Sequence, residues 1–227
     1  MNKYFKIFFL VFSIFLIVSS GILAQNNQTN FSGNINLIIN DIEKGSIDSI
    51  EKEGILLMRE EEKLARDVYL ALYDKWNLKT FYNIAQSEKT HMEAVKLLLK
   101  RYGIEDPVGK DIVGTFKNEK LQKLYDELVA MGNESLEQAL SASATVEELD
   151  IYDLKELLSK TDNDDIKIVY QNLLKGSRNH LRSFNRQIEK NGFSYTSKYL
   201  SQKEYDNIAM SSQESGGSIN NPDYIYK

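Results

Sequence analysis

Four long stretches of the chain repeat apolar residues at the helical period, and only 2 prolines interrupt its 227 residues. In each stretch apolar side chains recur at i, i+3, i+4 and i+7, which places them on one face of an α-helix. The stretches run from Ile50 to Trp76, Lys79 to Tyr102, Ser135 to Ser159 and Asp162 to Asn191. Nothing alternates at period two over enough residues to indicate a β-sheet. The pattern predicts an all-α fold of four long amphipathic helices.

The connections between these helices differ in length, and this difference predicts the topology. A few residues join the first two helices and the last two, so each pair is expected to form an antiparallel hairpin. Residues 103–134 separate the hairpins and contain Pro107 and a short helical pattern near Lys120 to Met131. At about 1.5 Å per helical residue this segment can travel the length of a bundle. Two hairpins joined by a long crossover with a short extra helix is the topology of a ferritin-like four-helix bundle.

The first 24 residues have the features of a signal peptide. Lys3 and Lys6 precede an apolar run from Ile7 to Val18, and Ala24 is a small residue suited to the position before a cleavage site. These features predict export to the periplasm or the outside of the cell. An uncleaved membrane anchor is the alternative, but the apolar run is short for a membrane-spanning helix. No stable membrane span is therefore expected after cleavage.

The segments that flank the helical region are polar. Residues 25–49 are rich in Asn, Gln, Ser and Gly and are interpreted as a flexible linker, with a short helix near Leu37 to Glu43. Residues 211–227 have the composition of a loose C-terminal tail. The predicted globular domain covers residues 50–210.

Composition excludes several kinds of site and partner. The chain has no cysteine, which excludes disulfides, thiol catalysis and thiolate metal sites. Its formal net charge is −5, and it has no basic cluster that would attract a phosphate backbone, so no nucleic-acid partner is expected. Without disulfides, an exported domain must be held by its core, or by its core and a bound metal.

Polar residues interrupt all four apolar faces: Glu62, Glu88, His91, Glu147 and His180. An unpaired buried carboxylate is costly, so such groups need a partner or must become neutral. A divalent cation can satisfy several carboxylates and imidazoles together. The i, i+3 spacing of Glu88 and His91 directs both toward the same or neighbouring ions. Oxygen and imidazole donors without sulfur suit iron or manganese, and they do not exclude zinc.

Each of these residues also has a structural interpretation. Glu62 lies in the run "REEEKLARD", where glutamates usually form a solvated helix face. Glu88 and His91 fit an exposed intrahelical pair, and His180 fits a core histidine with a satisfied hydrogen bond. Glu147 competes for the inward position with its acidic neighbours Glu148, Asp150 and Asp153. Metal binding is favoured because the second histidine occupies the matching place in the other hairpin.

Several spaced motifs resemble a known family. The motif "EKLARDVY", which contains Glu62, Ala65 and Tyr69, resembles the first helix of ferritins and rubrerythrins, and "SEKTH" resembles their E-x-x-H motif. The longer series "EGILLMREEEKLARDVYLALYDKW", "VEELDIYDL", "GSRNHLRSF" and "KYLSQKEYDNIA" resembles the DUF2202 family of ferritin-like proteins. This resemblance covers about Gly54 to Met210, which is most of the predicted domain.

The resemblance implies a di-metal site with one ligand set from each helix. Glu62 would be a terminal ligand, Glu88 a bridging ligand with His91 beside it, and Glu147 and His180 the ligands of the second hairpin. The sequence departs from the family pattern at Ser177, where a second bridging glutamate is expected. Asp150, one turn after Glu147, is the candidate for the missing carboxylate. Two ions are expected, with one ion as the alternative, and Tyr69 and Ser177 are expected beside the ligands.

The function implied is di-iron or di-manganese redox chemistry, such as ferrous oxidation or peroxide reduction. A chain without cysteine lacks the electron-transfer module of rubrerythrins, so the electron donor would be an external molecule. A non-catalytic bundle with a structural or degenerate metal site, acting as a binding module, is the alternative. A closed iron-storage shell is less favoured because the chain has loose segments at both ends. A homodimer is compatible with either main hypothesis.

Overall fold

The computed structural model describes residue 31 and residues 33–225, and within this part of the chain it is entirely α-helical and irregular, without a strand. The predicted signal peptide, residues 25–30 and 32 of the predicted linker and residues 226–227 of the predicted tail lie outside the described residues. The first described helix, α1, covers residues 33–40. The other helices are α2 (Ser49–Trp76), α3 (Lys79–Tyr102), α4 (Glu119–Glu134), α5 (Leu136–Leu158), α6 (Asp164–Lys190) and α7 (Gln202–Ala209). The predicted all-α fold class is thereby confirmed.

The ends of the long helices follow local capping signals. Asp48 caps α2 in a capping box, in which its side chain accepts from the Glu51 amide and the Glu51 side chain accepts from the Asp48 amide. Gly103 ends α3 with a φ of 68°, a left-handed conformation that glycine adopts without steric cost. Ser135 caps α5 by accepting from the amide of Gln138 at 3.1 Å. These signals lie within a few neighbouring residues, and the observed bounds of the four long helices accordingly lie close to the predicted ones.

The long helices enclose a common core. Helix α2 packs against α3, α4 and α5, α3 packs against α6, and α5 packs against α4 and α6. The four long helices therefore form a closed ring of pairwise contacts in the order α2, α3, α6, α5. Two residues, Asn77 and Leu78, connect α2 to α3, and Asn77 makes the reversal in the left-handed conformation with a φ of 50°.

The segment between the two hairpins lies along α2 and includes α4. Arg59 of α2 makes a salt bridge to Asp106 at 2.9 Å, and Arg66 makes one to Asp111 at 2.5 Å. Lys63, which is fully buried, donates to the carbonyl of Ile112 at 2.8 Å. Charged residues of α2 that face away from the central core are thus covered by this connection.

Two segments with polar composition make specific contacts with the long helices. In the predicted linker, residues 33–40 are helical, earlier in the chain than the predicted helix near Leu37 to Glu43, and Ile35 and Ile39, one turn apart, are buried in the core. In the predicted tail, residues 211–225 lie along α6 and make hydrogen bonds and salt bridges to its side chains. No described helix is long and apolar enough to cross a membrane.

Candidate metal centre

The four long helices bring the polar residues of their apolar faces to one place in the core. Glu62 comes from α2, while α3 contributes Glu88 and His91 one turn apart. The other hairpin contributes two pairs with the same i, i+3 spacing. These pairs are Glu147 with Asp150 on α5 and Ser177 with His180 on α6. All of these side chains are buried.

Glu88 lies between the two histidines. Its Oε2 is 2.8 Å from Nδ1 of His91, and its Oε1 is 2.7 Å from Nδ1 of His180. The planes of the two imidazole rings are inclined by 27°, with centroids 5.4 Å apart. Glu88, His91 and His180 each offer a ligand atom within 4.8 Å of the others, which is close enough for the three to hold a metal ion.

A further carboxylate stands beside each histidine. Oε2 of Glu62 is 3.1 Å from Nδ1 of His91, and Oε2 of Glu147 is 3.6 Å from Nδ1 of His180. The hydroxyl of Tyr69 donates to Oε1 of Glu147 at 2.5 Å, which leaves Oε2 as the oxygen that faces the histidine. Each half of the site therefore contains one histidine, one carboxylate of its own and one oxygen of Glu88.

Asp150 and Ser177 face each other across the second hairpin. The Ser177 hydroxyl donates to Oδ2 of Asp150 and also to the carbonyl of Leu173 at 3.0 Å. The structure thus places a carboxylate from α5 opposite the α6 position where the family resemblance implies a second bridging glutamate. Its other oxygen, Oδ1, has no hydrogen-bond partner in the described chain.

Several buried ligand-type atoms lack hydrogen bonds to the described residues: Glu62 Oε1, Glu88 Oε1, Asp150 Oδ1 and His180 Nδ1. Glu88 Oε1 and His180 Nδ1 are close to each other, but their arrangement does not have hydrogen-bond geometry. Unpartnered polar atoms at such depth are costly. A bound cation would satisfy them together, so the residues present fit a metal ion.

The ionisation of the site follows from its burial and its mixed charges. Burial raises the pKa of both Glu62 and Glu147 to about 7, although each has a histidine beside it that opposes the shift. Burial alone would lower the pKa of His180, but the carboxylates of Glu88 and Glu147 raise it to about 10. The pKa of Glu88 is lowered, because His180 and His91 outweigh the effect of its burial. Without a cation, the site therefore retains protons at neutral pH.

Comparison with known proteins places the chain in a family. The family model described as "Uncharacterized protein domain (DUF2202)" matches residues 51–212, well over half of the chain. This chain belongs to the DUF2202 family. One relative is the uncharacterized protein MJ0754 of Methanocaldococcus jannaschii, 54% identical over 178 residues, which cover 78% of this chain and 96% of the relative.

A solved structure supports the same assignment. The crystal structure of hypothetical protein MJ0754 from Methanococcus jannaschii matches the present one with a TM-score of 0.75 and 55% sequence identity, covering 76% of this chain and 99% of the other. The membership inferred from sequence motifs is thus confirmed for DUF2202. Because the family and this relative are described as uncharacterized, membership in the family shows homology and assigns no activity to this chain.

Within the DUF2202 domain, two residues beside the histidines were not anticipated from the sequence. Ser87 Oγ is 2.9 Å from Nε2 of His180. Gly176 packs on His91 so closely that a Cβ there would lie 2.3 Å from Cε1 of the ring. A glycine inside a helical pattern carries a propensity cost of about 1 kcal/mol, and this cost is the signal that could have indicated a close approach at Gly176.

The acidic neighbours of the candidate ligands have other roles in the DUF2202 domain. Glu60 accepts from the backbone amides of Lys117 and Asn118 at 2.6 and 3.1 Å. Glu148, fully buried, accepts from Tyr195, Ser197 and the Lys198 amide. The structure thus separates Glu62 and Glu147, which face the histidines, from glutamates that fasten loops.

Proposed function

We propose that this protein is a ferritin-like four-helix bundle that binds two transition-metal ions, iron or manganese, between its helices and uses them for redox chemistry. The reaction classes that fit are ferrous oxidation and peroxide reduction. The closed ring of four helices, the two hairpins and the long crossover support the ferritin-like assignment. All six candidate ligands, Glu62, Glu88, His91, Glu147, Asp150 and His180, lie in the DUF2202 region.

The position of Glu88 is the observation that carries this proposal. Its two oxygens face different histidines, at 2.8 and 2.7 Å from their Nδ1 atoms. A carboxylate in this position can bridge two ions, one held with Glu62 and His91 and the other with Glu147 and His180. Oxygen and imidazole donors are suited to iron and manganese. When bound there, such ions would supply one-electron redox steps.

The surrounding residues have roles that follow from their contacts. The Tyr69 hydroxyl holds Glu147 in a fixed orientation, and the Ser87 contact holds the outer nitrogen of His180. Such outer contacts orient metal ligands and select the tautomer of a histidine. The bundle core keeps the ligands out of bulk water, where their interactions with a cation would be weaker. With no cysteine in the chain, electrons would come from a separate donor molecule.

Metal titration of purified protein tests the proposal. We expect about two equivalents of iron or manganese to bind to the wild-type protein, as measured by elemental analysis after removal of excess metal. The double variant Glu88→Ala, His91→Ala should lose this binding because it removes the shared carboxylate and one histidine. Retention of full metal binding by the folded double variant would falsify the assignment.

Glu93→Gln is the matched control for this titration. Glu93 lies on the same helix as Glu88, but its side chain is half exposed and its nearest ion-pair partner, Lys96, is 3.9 Å away. This variant should bind as much metal as the wild-type protein. Loss of binding in this control would show that acidic residues on the surface of α3 hold the metal.

The alternative is a non-catalytic bundle with one structural metal or a degenerate site. It is favoured by Ser177, which occupies the position of the second bridging glutamate, and by the contact of His91 with Glu62, which can form without a cation. One equivalent of metal that does not change its redox state with dioxygen or peroxide would support this alternative.

Export is the remaining part of the proposal, and it rests on the basic and apolar composition of residues 1–24. The mass of the protein recovered from cell fractions tests it. Recovery from outside the cytoplasm with the leader removed is expected, and recovery of an intact chain from the cytoplasm would contradict it.

A further inference from the structure

A cavity of about 700 Å³ lies over the outer edges of both histidines. Ser87, which contacts Nε2 of His180, and Gly176, which packs on the ring of His91, both line it. The cavity therefore meets the histidines on the side opposite to Glu88, which faces their Nδ1 atoms. Its size falls within the range of roughly 300–1,000 Å³ that is usual for small-molecule sites.

Most of the residues that line the cavity are polar, and the charged ones among them already have hydrogen-bond partners. Six of the lining residues carry amide side chains: Asn34, Asn83, Gln86, Asn172, Asn179 and Gln213. Apart from the two histidines, the charged lining residues are Lys175 and Glu214, and both are engaged by partners described below. The chemistry suits a small, uncharged molecule that donates and accepts hydrogen bonds, because Glu214 is paired with two arginines and Lys175 uses its three N–H donors on backbone carbonyls.

The C-terminal strap, residues 211–225, forms one wall of this cavity and is held to α6 by two polar latches. In the first, Glu214 accepts from Arg178 at 2.6 and 2.7 Å and from Arg182 at 3.0 Å. In the second, Lys175 donates to the carbonyls of residues 215, 216 and 217 at 3.1 to 3.2 Å. Both latches lie within the stretch of strap that lines the cavity, residues 213–218.

The strap is attached by polar contacts, which include these two latches and hydrogen bonds between the amide side chains of Asn172, Asn179 and Gln171 and its backbone. None of residues 211–225 is buried, so little apolar burial holds it in place. Segments with few buried apolar contacts are those that open locally at low free energy. The family match ends at residue 212, so most of the strap lies outside the shared domain, whereas the candidate ligands lie inside it.

We propose that the cavity is the vestibule through which small, uncharged polar solutes reach the histidine pair, and that the strap is a gate closed by its two latches. The inference rests on the proposed function for what the solute does at the site. The experiment that tests the gate uses metal-free protein. The gate can therefore be disproved while the proposed metal centre stands, and the metal centre can be disproved while the gate stands.

Chemical labelling of the histidines tests the gate. The chain has only 2 histidines, and both lie at the cavity, so diethyl pyrocarbonate is a direct probe of access. We expect Glu214→Gln and Lys175→Met each to raise the labelling rate of His91 and His180 by roughly 10-fold, because each removes a charged latch. Rates are measured on the metal-free full chain by peptide mass spectrometry at a single pH.

The two variants change the charge near the cavity in opposite directions. A shift in histidine ionisation alone would therefore move their rates apart, whereas gate opening raises both. A rise in only one of them overturns the proposal. So does the absence of any rise in variants whose circular dichroism and thermal unfolding match those of the wild-type protein.

Glu156→Gln is the matched control. Glu156 lies on α5, remote in sequence from the strap, and the substitution breaks its exposed ion pair with Lys160. Its labelling rate should equal that of the wild-type protein. A wild-type rate as high as that of the chain in denaturant would also overturn the proposal, since the histidines would then be open without any latch being broken.

Discussion

At the scale of single residues, neighbours of identical chemistry have different roles because one helical step turns a side chain by about 100°. Glu147 faces His180 in the core, whereas Glu148 turns toward the loop that carries Tyr195 and Ser197. Both are buried, so burial alone does not distinguish a candidate ligand from a structural carboxylate. The contact with a histidine makes that distinction.

The first prediction concerns Gly176, whose missing side chain makes room for His91. In Gly176→Ala, the new Cβ would lie 2.3 Å from Cε1 and 2.4 Å from Nε2 of that ring, so the imidazole must move. We expect metal affinity to fall by roughly 10- to 100-fold, as for other changes beside metal ligands. Isothermal titration with Mn²⁺ measures it.

Gly33→Ala is the control for this prediction, since a Cβ at that helical position meets nothing within 4 Å. Alanine in place of glycine favours a helix by roughly 0.5–1 kcal/mol. Reduced affinity in Gly176→Ala would therefore reflect the clash with His91 and not a weakened helix. Equal affinity of Gly176→Ala and the wild-type protein would argue against a role for His91 as a ligand.

The second prediction is that metal affinity rises with pH. Burial raises the pKa of Glu62 and Glu147 to about 7, and the neighbouring carboxylates raise that of His180 to about 10. Ligands bind metal in their deprotonated forms, so protons compete more strongly as the pH falls. The dissociation constant for Mn²⁺ should increase about 10-fold per pH unit for each proton displaced, between pH 8 and pH 6.

Titration calorimetry in buffers of different ionisation enthalpy checks this prediction, because proton release makes the observed heat depend on the buffer. An affinity that is constant from pH 6 to pH 8, with no buffer dependence, would show that the bound metal does not displace protons from these groups.

At the scale of elements, a buried charge network fastens the crossover to α2. Asp67, fully buried, accepts from Lys63 at 2.5 Å, from Arg66 at 2.6 and 2.8 Å, and from the amide of Gly114 at 2.9 Å. Lys63 also lies over the ring of Phe116, 4.2 Å from its centroid. These contacts position the segment that connects α3 to α4 along α2.

The third prediction follows from this network. Asp67→Asn removes the charge that compensates buried Lys63, and breaking a buried pair in this way typically costs about 3–5 kcal/mol. Urea unfolding followed by circular dichroism should show a decrease of that size in the free energy of unfolding. Glu127→Gln, which breaks the exposed pair with Lys123, should change it by less than about 0.5 kcal/mol. Similar effects of the two variants would mean that the buried network contributes little.

At the scale of the whole molecule, a chain without disulfides is held by helix packing, and its core contains mutually repelling carboxylates. Desolvation and neighbouring acidic groups raise the pKa of Asp150 well above its usual range, although Ser177 opposes the shift. The same groups that weaken the metal-free core would bind a cation in the proposed holoprotein, so metal binding and stability are coupled.

The fourth prediction is that a bound metal raises the thermal stability of the whole bundle. At a free metal concentration of 100 times the dissociation constant, the stabilisation should be about 2.7 kcal/mol. Differential scanning calorimetry of protein with Mn²⁺ and with a chelator measures it. Glu88→Gln should melt at the same temperature with Mn²⁺ and with the chelator. A wild-type melting temperature that is also the same in both conditions would contradict the proposed centre.

The sequence by itself determined the number, type and bounds of the long helices and most of the inward polar residues. Helix formation depends on neighbours within about one turn, and signals such as the capping box at Asp48 and Gly103 at the end of α3 are local. Glu88 and His91 could be paired for the same reason, since their i, i+3 spacing requires no knowledge of other helices.

Only the tertiary structure decided which residues meet between helices. The placement of Glu88 between two histidines, the contact of Asp150 with Ser177, and the approach of Gly176 to His91 depend on how each helix is rotated against its neighbours. The same holds for the strap, whose composition indicates a loose tail but whose Glu214 is held by Arg178 and Arg182. Contacts between residues distant in the chain follow from packing of the whole core, which no local pattern encodes.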